Sequence, residues 1–194
     1  MFCNKLTGME LYTFIFVTMI TDWKFKRRKK PVTIHKKIQM VQLKQEQFLP
    51  ITLDQAWHFF ATPKNLNEVT PDDMVFEITS DPPDTMYEGL LISYRLKPML
   101  NIPVNWCTEI THIKEKVYFV DEQRQGPYKM WHHEHHFKEV TGGVLMTDIL
   151  HYDIGKSVFG WMAGKLFVHK KVAGIFKFRH EALETMSFGV ELIS

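Results

Sequence analysis

Strand-like segments follow one another so closely between residues 74 and 153 that only antiparallel pairing can connect them. The turns between them, such as Gln125-Gly126-Pro127, are far shorter than the crossover that joins two parallel strands. An earlier segment, 40–48, alternates less regularly and is one further strand. The predicted strands are therefore 40–48, 74–79, 90–97, 104–113, 117–124, 129–140 and 144–153.

Helical patterns lie on both sides of these strands. Thr52 is the predicted N-cap of a short helix with Gln55 as its capping-box partner, and a second short helix covers about 65–69. The first helix has an apolar stripe formed by Ala56, Trp57 and Phe60. The long C-terminal helix, about 164–188, has apolar three-four spacing over Val168, Val172, Ile175, Phe176, Arg179, Leu183 and Met186. Its opposite side carries Lys165, Lys170, Lys171, Lys177 and Glu181.

Together these elements predict an α+β fold. A curved antiparallel sheet of six or seven strands would wrap around the long C-terminal helix, with two short helices after the first strand. Such a sheet cannot close fully on a single helix, so a cavity between the sheet and the helix is expected. Aromatic residues, at 13% of the chain, are numerous enough to line an apolar cavity as well as to fill a core.

Charge and cysteine content limit the partners and the compartment. Residues 1–39 carry nine Lys/Arg and two acidic residues, so the net charge of +2 for the whole chain leaves −5 for the remainder. An acidic body argues against nucleic acid as a partner. Two cysteines, Cys3 and Cys107, exclude a disulfide framework and lack metal-site spacing. A reducing, cytoplasmic location is expected.

The N-terminal segment 1–39 differs from the rest of the chain. Its apolar run, 11–20, precedes the basic residues, which is the reverse of a secretory signal, and is half the length of a membrane span. We expect 1–39 to be a disordered or misannotated extension, and 40–189 to be the folded ligand-binding domain. A short membrane anchor with a basic flank is the alternative.

Two sequence blocks resemble a known superfamily. They are Phe119-Val-Asp121-Glu-Gln123-Arg-Gln-Gly126-Pro127-Tyr128-Lys-Met-Trp131-His-His133-Glu-His135-His-Phe137 and Met146-Thr-Asp148-Ile-Leu150-His-Tyr152. Both resemble the SRPBCC (START / birch-pollen-allergen / polyketide cyclase-like) superfamily, in a bacterial branch often labelled cell-division inhibitor. The resemblance covers about 40–188 and implies a helix-grip fold with an internal cavity. It implies less about function, because this superfamily includes carriers, receptors and cyclases.

Strand periodicity indicates which side chains share the cavity. Along 129–140, alternate residues form one set containing Trp131 and His133 and another containing His132 and His136. The first set carries the large aromatics and is expected to face inward, while the second is expected to be exposed. The predicted ligand-binding residues are Trp106, Thr108, Phe119, Asp121, Gln123, Trp131, His133, His135, Phe137, Met146, Asp148 and Tyr152.

The inward histidines and carboxylates allow three interpretations. They could form a structural hydrogen-bond network between strands, contact a ligand, or act in catalysis with His133 or His135 as general base and Asp148 or Asp121 as its orienting group. No metal site or cofactor is expected, because the His-His-Glu-His-His sequence divides its members between two faces of a strand.

Other aromatic positions have plainer interpretations. Trp57, Trp106 and Trp161 are expected in the core.

The apolar segment 158–164 is glycine-flanked and is expected at the cavity mouth, where it could gate entry, contact a membrane or simply cap the core. Membrane contact is expected only through this segment or the N-terminal extension.

Three functions follow from these patterns, in decreasing order of support. The first is binding of a hydrophobic or lipid-like small molecule without catalysis. The second is a cyclase or dehydratase reaction that uses the His/Asp pair. The third is a protein-interaction role such as inhibition of cell division, which would require a large exposed apolar patch. The oligomeric state is left open by the sequence.

Overall fold

The computed structural model describes residues 40–99, 102–155 and 165–186. The predicted extension 1–39 and the segment 158–164 with Trp161 lie outside these residues. The strands are β1 (Val41–Leu49), β2 (Glu77–Ile78), β3 (Leu91–Met99), β4 (Ile102–Lys114), β5 (Tyr118–Gln125), β6 (Met130–Val140) and β7 (Gly143–Asp153). The helices are α1 (Leu53–Phe60), α2 (Lys165–Thr185) and two 3-10 helices, Pro63–Val69 and Asp72–Met74. None of the helices in the described residues combines the length and apolar character needed to cross a membrane.

The strands form one antiparallel sheet in the order β1-β7-β6-β5-β4-β3-β2. β6 and β7 join through Thr141-Gly142, where Gly142 has φ +82°, a conformation that glycine adopts without steric cost. Register shifts interrupt the β3–β4 and β4–β5 pairs. Such bulges bend and twist a strand, and the sheet curves accordingly. The predicted curved antiparallel sheet of six or seven strands is confirmed, and it has seven among the described residues.

The predicted strand 74–79 is wrong for most of its length. Residues Asp72–Met74 instead form a 3-10 helix, and Val75 follows with φ 45°, which breaks the extended backbone. Only Glu77–Ile78 pair with β3. The apolar residues Met74, Phe76 and Ile78 alternate because they pack on the core, which mimics the pattern of a longer strand. The second short helix begins at Pro63 rather than Asn65, since proline is favoured in a first helical turn.

Helix α1 has the predicted capping box. The Thr52 hydroxyl accepts a hydrogen bond from the Gln55 amide at 3.2 Å, and the Gln55 side chain accepts one from the Thr52 amide at 2.9 Å. Its buried Trp57 packs edge-on against Phe119 and Phe137, with ring centroids 6.2 and 5.7 Å away. This contact fixes α1 against one end of the inner face of the sheet.

Helix α2 packs on the same face of the sheet with the side predicted from its spacing. Val168, Val172, Phe176, Arg179 and Leu183 are buried, and Ile175 and Met186 are half-buried. Two glutamines of β1 hold the helix, because Gln45 and Gln47 donate to the carbonyls of Phe176 and His180 at 3.4 and 2.9 Å. Lys171, predicted on the solvent side, is instead half-buried.

Candidate functional site

A cavity of about 220 Å³ lies between the inner face of the sheet, α2 and the two 3-10 helices. Its wall is mostly apolar and combines strand residues such as Ile92 and Ile110 with Val172 and Ile175 of α2. Enclosed sites for drug-sized ligands usually have volumes of about 300–1,000 Å³. The volume found here therefore fits a compact molecule better than a long acyl chain.

Seven of the twelve predicted ligand-binding residues line this cavity: Trp106, Thr108, Phe119, Asp121, Trp131, His133 and His135. The other five lie elsewhere in the described structure. Gln123 holds the β5–β6 turn, since its Nε2 donates to the Tyr128 carbonyl at 2.6 Å and its Oε1 accepts from the Tyr128 amide at 3.2 Å. The side chain of Gln123 therefore stabilises the turn and does not line the cavity.

Phe137, Met146 and Tyr152 are buried at the two ends of the same inward face. Phe137 packs against Phe60 with ring centroids 5.4 Å apart, and Met146 belongs to the same core under α1. Tyr152 lies at the opposite end, under α2, and its hydroxyl is 2.7 Å from Nδ1 of His169. Both ends of the inward face are therefore covered by helices, and only its middle reaches the cavity.

Asp148, the fifth of these residues, lies behind the histidines in a group that we call the polar cluster: Asp121, His133, His135, Asp148 and Arg179. Nε2 of His135 donates to Oδ2 of Asp121 at 2.9 Å, and Nδ1 of His133 lies 3.5 Å from the same oxygen. Oδ1 of Asp148 is 2.8 Å from Nδ1 of His135 and 3.2 Å from Nε2 of His133. His133, His135, Asp148 and Arg179 are each less than one-tenth exposed, and Asp121 is half-buried.

Arg179 contributes the guanidinium to this cluster, which sequence reasoning did not identify. Its Nη2 lies 3.4 Å from Nδ1 of His135, and its guanidinium carbon is 5.5 Å from the centre of the Phe60 ring. The sequence predicted only that Arg179 lies on the buried side of the long helix. Arg179 is the one cation in an otherwise apolar stripe of this helix. Because a buried charge requires a partner, this position could have indicated that Arg179 faces the buried carboxylates.

The polar cluster holds its charges by mutual compensation. Burial alone would raise the pKa of Asp148, but the Arg179 guanidinium and both imidazoles hold it well below its usual range. Burial opposes ionisation of Asp121 as well, and its hydrogen bond with His135 lowers its pKa. Burial would lower the pKa of His135, yet the contacts with Asp121 and Asp148 raise it. The pKa of His133 is lowered by burial and by the neighbouring His135. The charges of the two carboxylates are thus offset by the Arg179 guanidinium and by the two imidazoles, of which His135 binds a proton more readily than His133.

A second polar group in the cavity wall is satisfied within the protein. Nε1 of Trp106 donates to Oγ1 of Thr108 at 2.9 Å, and the Tyr94 hydroxyl also contacts this oxygen. Burial raises the pKa of Tyr94, so its phenol stays protonated. Trp106 is buried, as predicted, but it lines the cavity as well.

One end of the cavity approaches solvent. Lys171 lines this end, and its Nζ forms an ion pair with the exposed Asp73 at 2.8 Å. The pair joins α2 to the second 3-10 helix. On the outer face of the sheet, His132 and His136 are half-exposed, and they lie 2.8 and 2.9 Å from Glu122 and Glu134 respectively.

Comparisons with known proteins agree on the fold. No protein-family model and no curated protein matches the sequence. Among solved structures, TTHA0849 from Thermus thermophilus is similar with a TM-score of 0.54 and 16% identity, over 74% of this chain and 97% of that chain. Protein CV1439 from Chromobacterium violaceum has a TM-score of 0.57 and 6% identity, over 73% and 94%. The major latex-like protein 151 from Panax ginseng has a TM-score of 0.51 and 12% identity, over 73% and 96%.

Proposed function

Since this chain has the helix-grip fold of the SRPBCC (START / birch-pollen-allergen / polyketide cyclase-like) superfamily, we propose that it binds a compact, mainly apolar small molecule in the cavity under α2. The observation that carries this proposal is the cavity itself, about 220 Å³ of space with a mostly apolar wall in which Asp121, His133 and His135 form one polar region. Close-packed protein interiors rarely leave a void larger than a water molecule, so one of this size favours a binding role.

The polar cluster gives the bound molecule an orientation. Asp121, the most exposed member of the cluster, lines the cavity with His133 and His135, while much of the remaining wall is formed by residues such as Ile92 and Ile110. A ligand with one polar end would place that end against the cluster and its apolar body along the strands. Unsatisfied polar groups are costly in such a site, so a purely apolar ligand would bind less well than one with a polar end.

Catalysis with a histidine as general base is the less favoured function. Each ring nitrogen of His133 and His135 already lies within 3.5 Å of a carboxylate oxygen. A general base needs a nitrogen free to reach the proton it removes. The surrounding carboxylates favour a binding or structural role over proton transfer.

A fluorescent apolar probe tests the binding proposal. N-phenyl-1-naphthylamine is titrated into the full chain, and its emission is expected to rise to saturation at one site. The variant Ile175→Trp places an indole into the cavity and is expected to weaken the probe's binding about tenfold or more, which corresponds to a loss of about 1.4 kcal/mol. The matched control is Lys177→Trp, on the exposed side of the same helix.

The controls separate cavity binding from loose hydrophobic adsorption. Thermal unfolding by circular dichroism verifies that each variant is folded, because partly unfolded proteins also bind apolar dyes. Equal binding by Ile175→Trp and the wild type, or the absence of saturable binding in the wild type, would refute the proposal. Equal loss in Lys177→Trp would place the probe on the surface of α2.

A further inference from the structure

Three side-chain atoms of the polar cluster converge on one point at the cavity wall. Oδ2 of Asp121 lies 2.9 Å from Nε2 of His135 and 3.5 Å from Nδ1 of His133, and each of the three residues has a possible ligand atom within 4.8 Å of one on each of the other two. His133 and His135 are two residues apart on β6 and so share a face, and Asp121 is the residue paired with His133 on β5. In a tetrahedral site with bonds of about 2.1 Å, neighbouring donor atoms are about 3.4 Å apart. The observed spacing suits a small cation.

The cluster without a cation leaves buried polar atoms without hydrogen bonds. Among the described residues of the cluster, Nε2 of His133, Oδ1 of Asp148 and Nε of Arg179 have no aligned hydrogen-bond partner, although the first two atoms lie 3.2 Å apart. His133 and Asp148 are each 5% exposed, and buried groups of this kind are normally satisfied. The state of His133 and Asp148 requires an explanation, and binding of a cation by the two imidazoles would provide one.

A cation at the point of convergence supplies that explanation. If it binds Nδ1 of His133 and Nε2 of His135, the opposite nitrogen of each ring must carry its proton. Both of those nitrogens lie within 3.2 Å of Oδ1 of Asp148, so a small rotation of each ring aligns two N–H donors on one carboxylate. A carboxylate that accepts from the far side of a ligating histidine is the common support of metal sites.

We propose that Asp121, His133 and His135 form a site for a divalent transition-metal ion of the zinc type at the polar end of the cavity, with Asp148 orienting the two imidazoles. Two nitrogen donors and one oxygen donor suit zinc and its neighbours, whereas magnesium and calcium prefer oxygen ligands alone. The expectation of no metal rested on the division of the His-His-Glu-His-His sequence between two faces. The third ligand comes from the neighbouring strand and lies outside that sequence.

The three ligands leave a coordination position open toward the cavity, since all of them line it. A site with three protein ligands and one open position binds water or a ligand atom there. Arg179 lies beside His135, and the positive charges of its guanidinium and of a divalent metal together exceed the negative charge of Asp121 and Asp148 by one. The open position therefore favours an anionic oxygen, such as hydroxide or an acidic group of the molecule in the cavity.

Zinc binding by the full, untagged chain tests this site. After removal of metal with a chelator, Zn²⁺ is titrated in competition with a chromophoric chelator, and one ion per chain is expected. Asp121→Asn and His135→Gln each remove a ligand and are expected to weaken binding more than Asp148→Asn does. That variant changes only the supporting carboxylate, for which a loss of about 10–100-fold is expected.

The outer face of the same strand provides a matched control. The double variant His132→Gln/His136→Gln removes two histidines of the same strand that are half-exposed beside Glu122 and Glu134. It is expected to bind Zn²⁺ like the wild type. Loss of binding in this control with retention in Asp121→Asn would overturn the proposal, as would failure of the wild type to bind one ion.

Two further measurements keep the test decisive. Should the cavity variants fail to fold, Co²⁺ bound to the wild type is expected to show the strong visible absorption of four-coordinate cobalt. Weak, six-coordinate absorption would overturn the proposal. Ile175→Trp keeps all three ligands and is expected to retain zinc, so failure of the apolar-ligand proposal and failure of the metal proposal are distinguishable.

Discussion

Arg179→Leu is expected to lower the free energy of unfolding by several kcal/mol. In the wild type, the Arg179 guanidinium and the two imidazoles offset the charges of Asp121 and Asp148, and Arg179 and Asp148 are 9% and 5% exposed. Removing the guanidinium takes away the largest interaction that favours the charged form of the buried Asp148 carboxylate. Leaving a buried charge without its compensating group costs about 3–5 kcal/mol. For a chain of this size, 1 kcal/mol corresponds to about 2–4 °C, so a fall in Tm of about 6–20 °C is expected.

The pH dependence of this loss has a definite sign. The depressed pKa of Asp148 contributes stability that is present above the pKa of an unfolded aspartate, about 3.9, and is lost as the pH falls through the folded value. Arg179→Leu raises that folded pKa. The difference in unfolding free energy between wild type and variant is therefore full at pH 7, and it narrows as the pH falls from the raised Asp148 pKa of the folded variant toward the depressed Asp148 pKa of the folded wild type.

A double-mutant cycle provides the decisive assay for this reasoning. Urea unfolding is measured at pH 7, with a chelator present, for Arg179→Leu, Asp148→Asn and the double variant. Because Asp148→Asn removes the charge that Arg179 balances, the double variant is expected to be more stable than the sum of the single effects by at least about 1 kcal/mol. Additive effects, or a loss below 1 kcal/mol for Arg179→Leu, would refute the charge-balance account.

The remaining predictions concern packing and hydrogen bonds away from the cluster. Tyr152→Phe loses the 2.7 Å contact with His169 and is expected to cost about 1 kcal/mol in urea unfolding; no change would mean that this contact is not formed in solution. Gly143→Ala would place Cβ 2.1 Å from the Leu49 carbonyl oxygen and is expected to destabilise by about 1–3 kcal/mol. Gly174→Ala, in open space on α2, is expected to stabilise by about 0.5–1 kcal/mol, and the reverse order of the two glycine variants would contradict the structure.

The fold could be predicted because local signals were strong. Period-two alternation and short turns specify antiparallel strands, and three-four spacing specifies the buried face of α2. The segment 74–79 was predicted wrongly because three apolar residues that pack on the core from an irregular segment have the same period as a strand. The irregular segment differs from a strand in the positive φ of Val75, which the sequence pattern does not indicate.

The candidate site could be predicted only in part, for a geometric reason. Strand parity correctly brought Asp121, His133, His135 and Asp148 together. The alternation along a strand indicates which face of the sheet a side chain occupies, but it does not indicate which helix covers that side chain. Phe137 and Met146 were therefore assigned to the cavity, although α1 covers them. Cavity residues from other elements, such as Ile175 and Tyr94, and the role of Arg179 depend on how α2 crosses the sheet. That crossing is a tertiary property.

Binding of a compact, mainly apolar molecule in the cavity is the property on which the proposed function depends. Native and denaturing mass spectra of the untagged full chain test it most directly, recorded before and after incubation with N-phenyl-1-naphthylamine. We expect the native spectrum, but not the denaturing one, to show either a co-purified small molecule or one bound probe per chain. Neither adduct is expected in the native spectrum of Ile175→Trp. A bare chain in every native spectrum, or an equal adduct on Ile175→Trp, would contradict it.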